Sequence, residues 1–233
     1  MFNLVRFFKL LLFSPRIENG SFNSQGERSH DDKPLTHYQK KMRQHTGGVL
    51  LDHITKDLDR DPLDVARIEL IPEGRDWRDL PNIETGLENG ATTQKLVYPY
   101  KNIHYKNNIH GRNRGVCPCM EKEEGVCEKQ SHTQKNTLIP WFMPHSGSRN
   151  NDYAGCYGRV PKNGVFATVT TDPCPSGKQG RVLHPDQNRL LSVREFARAQ
   201  GFPDHYNFCG ELADKFRQVS QLHLLNLTKI VVF

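Results

Sequence analysis

The stretch SVREFARAQGFPD, Ser192 to Asp204, carries the clearest folding instructions in this chain. Ser192 followed three residues later by Glu195 forms a capping box: each side chain satisfies an orphan backbone N–H at a helix start. Val193, Phe196, Ala197 and Gln200 share one face of the helix that follows, and Gly201 and Pro203 stop it. Working back from there, Asp61 is a cap with Pro62 at the first helical position. Leu63, Ala66 and Leu70 space onto one face of that helix, which must end before Pro72. Shorter helices are predicted over Thr36 to Arg43 and Leu50 to Asp57.

Between these helices the pattern changes. From Gly74 to about Arg181 only short strand-like pieces occur, Lys95 to Tyr98 and Gly164 to Thr171, separated by polar stretches rich in Gly, Pro, Asn and His. No internal repeat is visible, and an irregular run of this length inside a domain points to function or disorder. Residues 18 to 36 read as a polar loop. Leu222 to Phe233 is apolar and β-prone, with Ile230 to Phe233 as a strand. The fold class expected is α+β.

Composition agrees with a loosely built chain. The 233 residues are 36% hydrophobic, and the mean hydropathy is -0.69. That is lean for one dense core and implies long irregular segments. A formal charge of +6 fits a nucleic-acid partner, although many soluble proteins share it. The leader MFNLVRFFKLLLFS is interrupted by Arg6 and Lys9, is followed by no small-residue cleavage site, and is too short to span a bilayer. It reads as an amphipathic or artefactual leader, and no other stretch approaches a membrane span. Of the 6 cysteines three cluster within Cys117 to Cys127, which suits a metal site in a reducing compartment better than a disulfide scaffold.

Four local patterns bear on chemistry. Cys117, Cys119, Cys127 and His145, separated by one, seven and seventeen residues, are a soft donor set for tetrahedral zinc. Four protein ligands would make that site structural, pinning a polar loop that cannot order itself by burial. His132 is a rival fourth ligand, and three free thiols on a loop is the plain alternative. Lys101, Lys106, Arg112 and Arg114 lie in a basic stretch that can neutralise phosphates or simply face water. Cys174 lies between Pro173 and Pro175 with no base beside it, which excludes it as a nucleophile. Gly177-Lys178-Gln179-Gly180 allows close backbone approach and offers donors to phosphates or base edges, but is too short for a phosphate loop.

Taken in order, DWRDLPNIE (Asp76 to Glu84), RGVCPC (Arg114 to Cys119), NTLIPW (Asn136 to Trp141), PHSG (Pro144 to Gly147), GKQGRVLHP (Gly177 to Pro185) and SVREFARAQGFPD resemble the C-terminal third of the maintenance-type DNA (cytosine-5)-methyltransferases. The resemblance runs from about Arg16 to Val219. It implies an irregular, β-rich, zinc-stabilised target-recognition domain with flanking helices, an incomplete piece of a Rossmann-like methyltransferase. It divides the chain into an unmatched leader (1–15), a helical lead-in segment (16–73), a DNA target-recognition domain with the zinc site (74–180), the penultimate methyltransferase motif region (181–219) and an unmatched tail (220–233). It assigns structural zinc to Cys117, Cys119, Cys127 and His145. It places the surface that reads 5-methylcytosine in hemimethylated CpG DNA on Phe142, Met143, Tyr153 and Cys156, where the family commonly has Cys, Leu, Trp and Leu. Lys178 and Gln179 fall where the family contacts the CpG bases, and Ser176 replaces an apolar residue beside them.

What the resemblance does not find is equally specific. No Pro-Cys-Gln, no Glu-Asn-Val and no Gly-rich S-adenosylmethionine motif occurs, and after Val219 the expected Gly-Asn gives way to Ser220-Gln221-Leu222. The expectation is therefore a nuclear chain that keeps DNA recognition, with no catalytic residue of its own and an incomplete S-adenosylmethionine site. Its two edges read as splice or gene-model boundaries. Rival readings are activity restored by a separate catalytic chain, a zinc-stabilised protein-interaction module, and a nonfunctional truncated product. No nuclear-import run of basic residues stands out.

Overall fold

The computed structural model describes residues 28–30, 33–34, 36–58, 61–96, 134–147, 150–163, 166, 168–177 and 181–221. In chain order their regular elements are β1 (Arg28–Ser29), α1 (His37–Met42), β2 (Val49–Leu50), α2 (Pro62–Leu70), α3 (Phe142–Ser146), α4 (Val193–Ala199) and α5 (Leu212–Gln221), with single helical turns at Trp77–Asp79 and Asn151–Tyr153. β1 and β2 are antiparallel, with Arg28 opposite Leu50 and Ser29 opposite Val49. The chain forms two compact units. One comprises Met1–Leu58, Val160–Cys174 and Val182–Phe233; the other comprises Asp59–Arg159 and Pro175–Arg181.

The first unit is organised around α4. Its capping box forms as predicted: Glu195 N donates to Ser192 Oγ at 3.2 Å and Ser192 N to Glu195 Oε2 at 2.8 Å. Apolar packing runs through Phe196, whose ring meets Phe166 at 5.7 Å and Phe216 of α5 at 5.8 Å, both edge-on. The charged residues of α4 are buried as well, and each is paired, as burial of charge requires. Arg189 forks onto the Glu195 carboxylate at 2.8 and 2.9 Å. Arg198 does the same to Asp204 at 2.8 and 2.6 Å. Arg194 donates to the carbonyls of Leu51 and Pro203 and to Asp52 Oδ2. Burial alone would raise the Glu195 carboxyl, but Arg189, helped by His184 and His53, holds it well below the usual carboxylate range.

The second unit hangs on two buried arginines. Asp61 caps α2 by accepting from Leu63 N at 3.0 Å. Within α2, Arg67 donates to the carbonyls of Leu138 and Thr137, both at 2.8 Å. Arg159 donates to Ile71 O at 2.9 Å and Ile68 O at 2.7 Å, bringing donors to carbonyls at the C-terminal end of α2. Asp76 caps the Trp77–Asp79 turn through Arg78 N and grips the Arg78 side chain at 2.9 and 2.8 Å.

Several sequence expectations are corrected. Residues 51–58 are not helical. Their backbone is taken up by tertiary partners: Arg194 N donates to Asp52 O, Val193 N to Ile54 O, and Asp52 itself has φ +56. The inward residues of α2 are Arg67 and Ile68, while Leu70 is exposed. The β-rich character expected of 74–180 is not seen among the described residues, where only isolated bridges at Gly86–Thr92 and Gln94–Thr137 occur. Side chains do the tying instead, as where Asn82 exchanges hydrogen bonds of 2.9 and 2.7 Å with the backbone of Leu96. Helix α5 was not anticipated. Leader residues 1–15, the basic stretch from Lys101 to Arg114 and the tail 222–233 lie outside the described residues.

Candidate nucleic-acid interface

The four residues assigned to methyl reading come together in the second unit. Phe142 opens α3, and its ring meets Tyr153 edge-on at 5.6 Å. Phe142 is 38% exposed, whereas Met143 and Cys156 are wholly buried and Tyr153 nearly so. Phe142 is thus the member that offers surface, and the other three are buried.

The Tyr153 side is held by an unusual backbone. Asn151, Asp152 and Tyr153 have φ of +50, +53 and +47, so this turn is left-handed. Such values are uncommon for L residues and most costly for a bulky one such as Tyr. Hydrogen bonds hold the turn in place. Ser146 Oγ donates to Phe142 O at 2.8 Å and lies 2.8 Å from Tyr153 Oη. Serine has one hydroxyl proton, so Tyr153 is the donor to Ser146. Asn150 Nδ2 donates to Ser146 O at 2.8 Å, and Trp77 Nε1 to Asp152 O at 3.0 Å.

Cys156 joins this cluster to the next loop. Its Sγ donates to Gly177 O at 2.8 Å and lies 3.6 Å from Ser176 O. Tyr157 N donates to Pro175 O at 2.5 Å, and Tyr157 Oη to Asp64 Oδ1 at 2.6 Å. Burial pushes the Tyr157 hydroxyl up, against the opposing pull of Arg67. Lys178 and Gln179 themselves lie outside the described residues, as do Cys117, Cys119 and Cys127. His145 is described and is buried in α3. Among the described residues no group of three His, Cys, Asp or Glu gathers as a metal site, and no helix is long and apolar enough to cross a membrane. The support that Trp77 gives the left-handed turn carried no readable signal in the sequence, because its partner Asp152 lies 75 residues further along the chain.

The model of the C-5 cytosine-specific DNA methylase family matches residues 78–222. The chain is 47% identical over 208 residues to the DNA (cytosine-5)-methyltransferase 1 of Mus musculus, covering 88% of this chain and 12% of that protein. It is 48% identical over 208 residues to the DNA (cytosine-5)-methyltransferase PliMCI of Paracentrotus lividus, with the same coverages of 88% and 12%. To the DNA (cytosine-5)-methyltransferase 1B of Oryza sativa subsp. japonica it is 34% identical over 207 residues, 88% of this chain and 10% of that protein. This chain belongs to the C-5 cytosine-specific DNA methylase family. It spans about an eighth of the length of the curated relatives it matches.

Proposed function

We propose that these residues supply the target-recognition part, within the C-terminal third, of a maintenance-type DNA (cytosine-5)-methyltransferase, and that they read hemimethylated CpG. The observation that carries this reading is the Cys156 Sγ to Gly177 O contact of 2.8 Å, which ties the apolar cluster to the residue just before Lys178. Recognising 5-methylcytosine beside guanine in the major groove needs an apolar contact for the methyl group and donors for base edges, close together. Phe142 is the contact proposed for the methyl group, and Lys178 and Gln179 are the proposed donors.

Cys117, Cys119, Cys127 and His145 are proposed to hold a structural zinc ion. In the whole enzyme the reaction is proposed to be transfer of a methyl group from S-adenosylmethionine to C5 of a flipped cytosine, in the nucleus. The 233 residues contain no Pro-Cys-Gln. The attacking thiolate is therefore proposed to come from outside them, and the chain is expected to be inactive alone.

The test is DNA binding by the zinc-loaded chain, comparing hemimethylated and unmethylated CpG duplexes across salt concentrations. Tighter, salt-sensitive binding to the hemimethylated duplex is expected. Equal or absent binding to both would sink the reading. A stable protein partner with no salt-dependent DNA affinity would favour the interaction module, and methyl transfer by this chain alone would overturn its expected inactivity.

A further inference from the structure

We propose that His45 and His205 form a metal site that shares no residue with the proposed zinc ligands: a two-imidazole chelate for a divalent first-row transition ion. It lies at the surface of the first unit, where the turn that follows α1 meets the loop that follows α4. The two ring centroids are 6.0 Å apart, with the ring planes at 79°. A metal bound to an imidazole nitrogen at about 2.0–2.1 Å lies roughly 3 Å from the ring centroid, so two rings sharing one ion stand about 5–6 Å apart. The observed separation meets that requirement. Both residues are exposed, so an ion reaches them directly from solvent. Imidazole nitrogen suits zinc, nickel and copper, whereas calcium and magnesium take oxygen ligands. The site is independent of the recognition reading, which concerns the second unit.

The hydrogen bonding of His205 decides which of its nitrogens can bind. Its Nδ1 lies 3.2 Å from the carbonyl oxygen of Gln44. A carbonyl oxygen can only accept, so Nδ1 carries the proton and the lone pair of the neutral ring is on Nε2. Donation of one ring N–H to a backbone carbonyl is the arrangement that orients a metal-binding histidine and makes its other nitrogen more basic. The backbones that carry the two rings are joined as well. Asp204 N, next to His205, donates to Met42 O at 2.8 Å. Thr46, next to His45, fixes the turn: its Oγ1 donates to Arg43 O at 2.9 Å, and its carbonyl accepts from Val49 N at 3.1 Å. Asp204 is not a third ligand, because it is wholly buried and its carboxylate is held by the Arg198 fork at 2.8 and 2.6 Å. Among the described residues no third His, Cys, Asp or Glu gathers with the pair. Two protein ligands leave positions for water, so the ion is exchangeable and ties two loops together without being needed for folding.

The test is histidine footprinting of the zinc-loaded chain with diethyl pyrocarbonate, read residue by residue by mass spectrometry, with Ni²⁺ as the added probe. With free Ni²⁺ about tenfold above the midpoint of the titration, modification of His45 and His205 should fall together by roughly tenfold, as mass action at one site requires. His45 has φ +63, a left-handed value that asparagine tolerates, so His45→Asn removes the ligand and spares the turn. In that variant the protection of His205 should vanish, and in His205→Gln the protection of His45 should vanish, because a chelate needs both rings. Both positions are exposed, so melts without Ni²⁺ should match the wild type. Either variant alone decides the question, so the test stands if the other does not fold. Mg²⁺ should protect neither ring. Absence of protection in the wild type overturns the site. Protection of one ring that survives loss of the other overturns the chelate, and equal protection by Mg²⁺ overturns coordination by imidazole.

Discussion

The indole Nε1 of Trp77 donates to the carbonyl oxygen of Asp152 at 3.0 Å, 75 residues further along the chain. Asp152 sits at the centre of the left-handed turn that carries Tyr153. Left-handed conformations cost an L residue about 1–2 kcal/mol and persist only where the surroundings over-determine them. Trp77 is wholly buried and is one such constraint. In Trp77→Phe the ring stays apolar but the donor is lost, leaving the carbonyl unsatisfied. Urea unfolding should show a loss of about 1–3 kcal/mol. A loss within about 0.5 kcal/mol, as for an ordinary surface change, would mean that the turn does not depend on the indole.

Phe142 and Met143 are neighbours with opposite burial, which separates contact from support. Phe142→Ala is expected to change stability by no more than about 1 kcal/mol, because much of the ring already faces solvent, yet to abolish the preference for hemimethylated DNA. Met143→Ala opens a cavity and should cost about 2–5 kcal/mol. Thermal melts paired with duplex binding check both. Retained methyl preference in a folded Phe142→Ala chain would remove Phe142 from the proposed surface.

His184 makes the first unit sensitive to acid. Burial drives its pKa down to about 4 from the usual 6.5, an effect that Glu195 partly opposes. The geometry agrees: His184 Nδ1 accepts from Asp186 N at 3.0 Å and Gln187 N at 3.1 Å, so a proton there would displace two donors. The unfolded chain takes up this proton near pH 6.5, whereas the fold resists it until about pH 4. The contribution is therefore complete above pH 6.5 and lost as pH falls from 6.5 to 4, by about 3 kcal/mol. Glu195, held below its usual 4.5, extends the loss further into acid. His184→Asn keeps an acceptor but cannot titrate. Urea midpoints plotted against pH should be flatter for this variant between 6.5 and 4, and identical slopes would exclude His184 as the source.

Arg198 and Asp204 form a buried fork, with the Asp204 carboxylate also 3.6 Å from His30 Nε2. Removing one partner strands the other charge. Arg198→Met should cost about 3–5 kcal/mol, and Asp204→Leu a similar amount. The double variant should cost clearly less than the two losses added together, and a double-mutant cycle measures the difference. Simple additivity would show that the pair is not coupled.

How much of this was readable from sequence depends on the range of the interaction. The caps at Asp61 and Ser192 were readable because a cap is made within three residues, and both form as written. The absence of helix over 51–58 was not, because the groups that claim its backbone come from Val193 and Arg194. The same holds for α4. Its sequence announces one apolar face, but Arg194, Glu195 and Arg198 are buried as well, since Asp52, Arg189 and Asp204 arrive to neutralise them. In the candidate interface, residues were nominated by resemblance, yet only the structure distinguishes exposed Phe142 from its buried companions.

The sequence by itself determined where α2 and α4 start and stop, which donors are chemically suited to zinc, and the family to which the chain belongs, because local hydrogen bonding and residue order suffice for these. Only the tertiary structure decided that Cys156 bonds to Gly177, that Arg181 passes over Gly158, and that Trp77 supports a left-handed turn. Those contacts join residues about 20 to 75 positions apart, and their energies depend on burial and exact approach, which no local pattern of residues encodes.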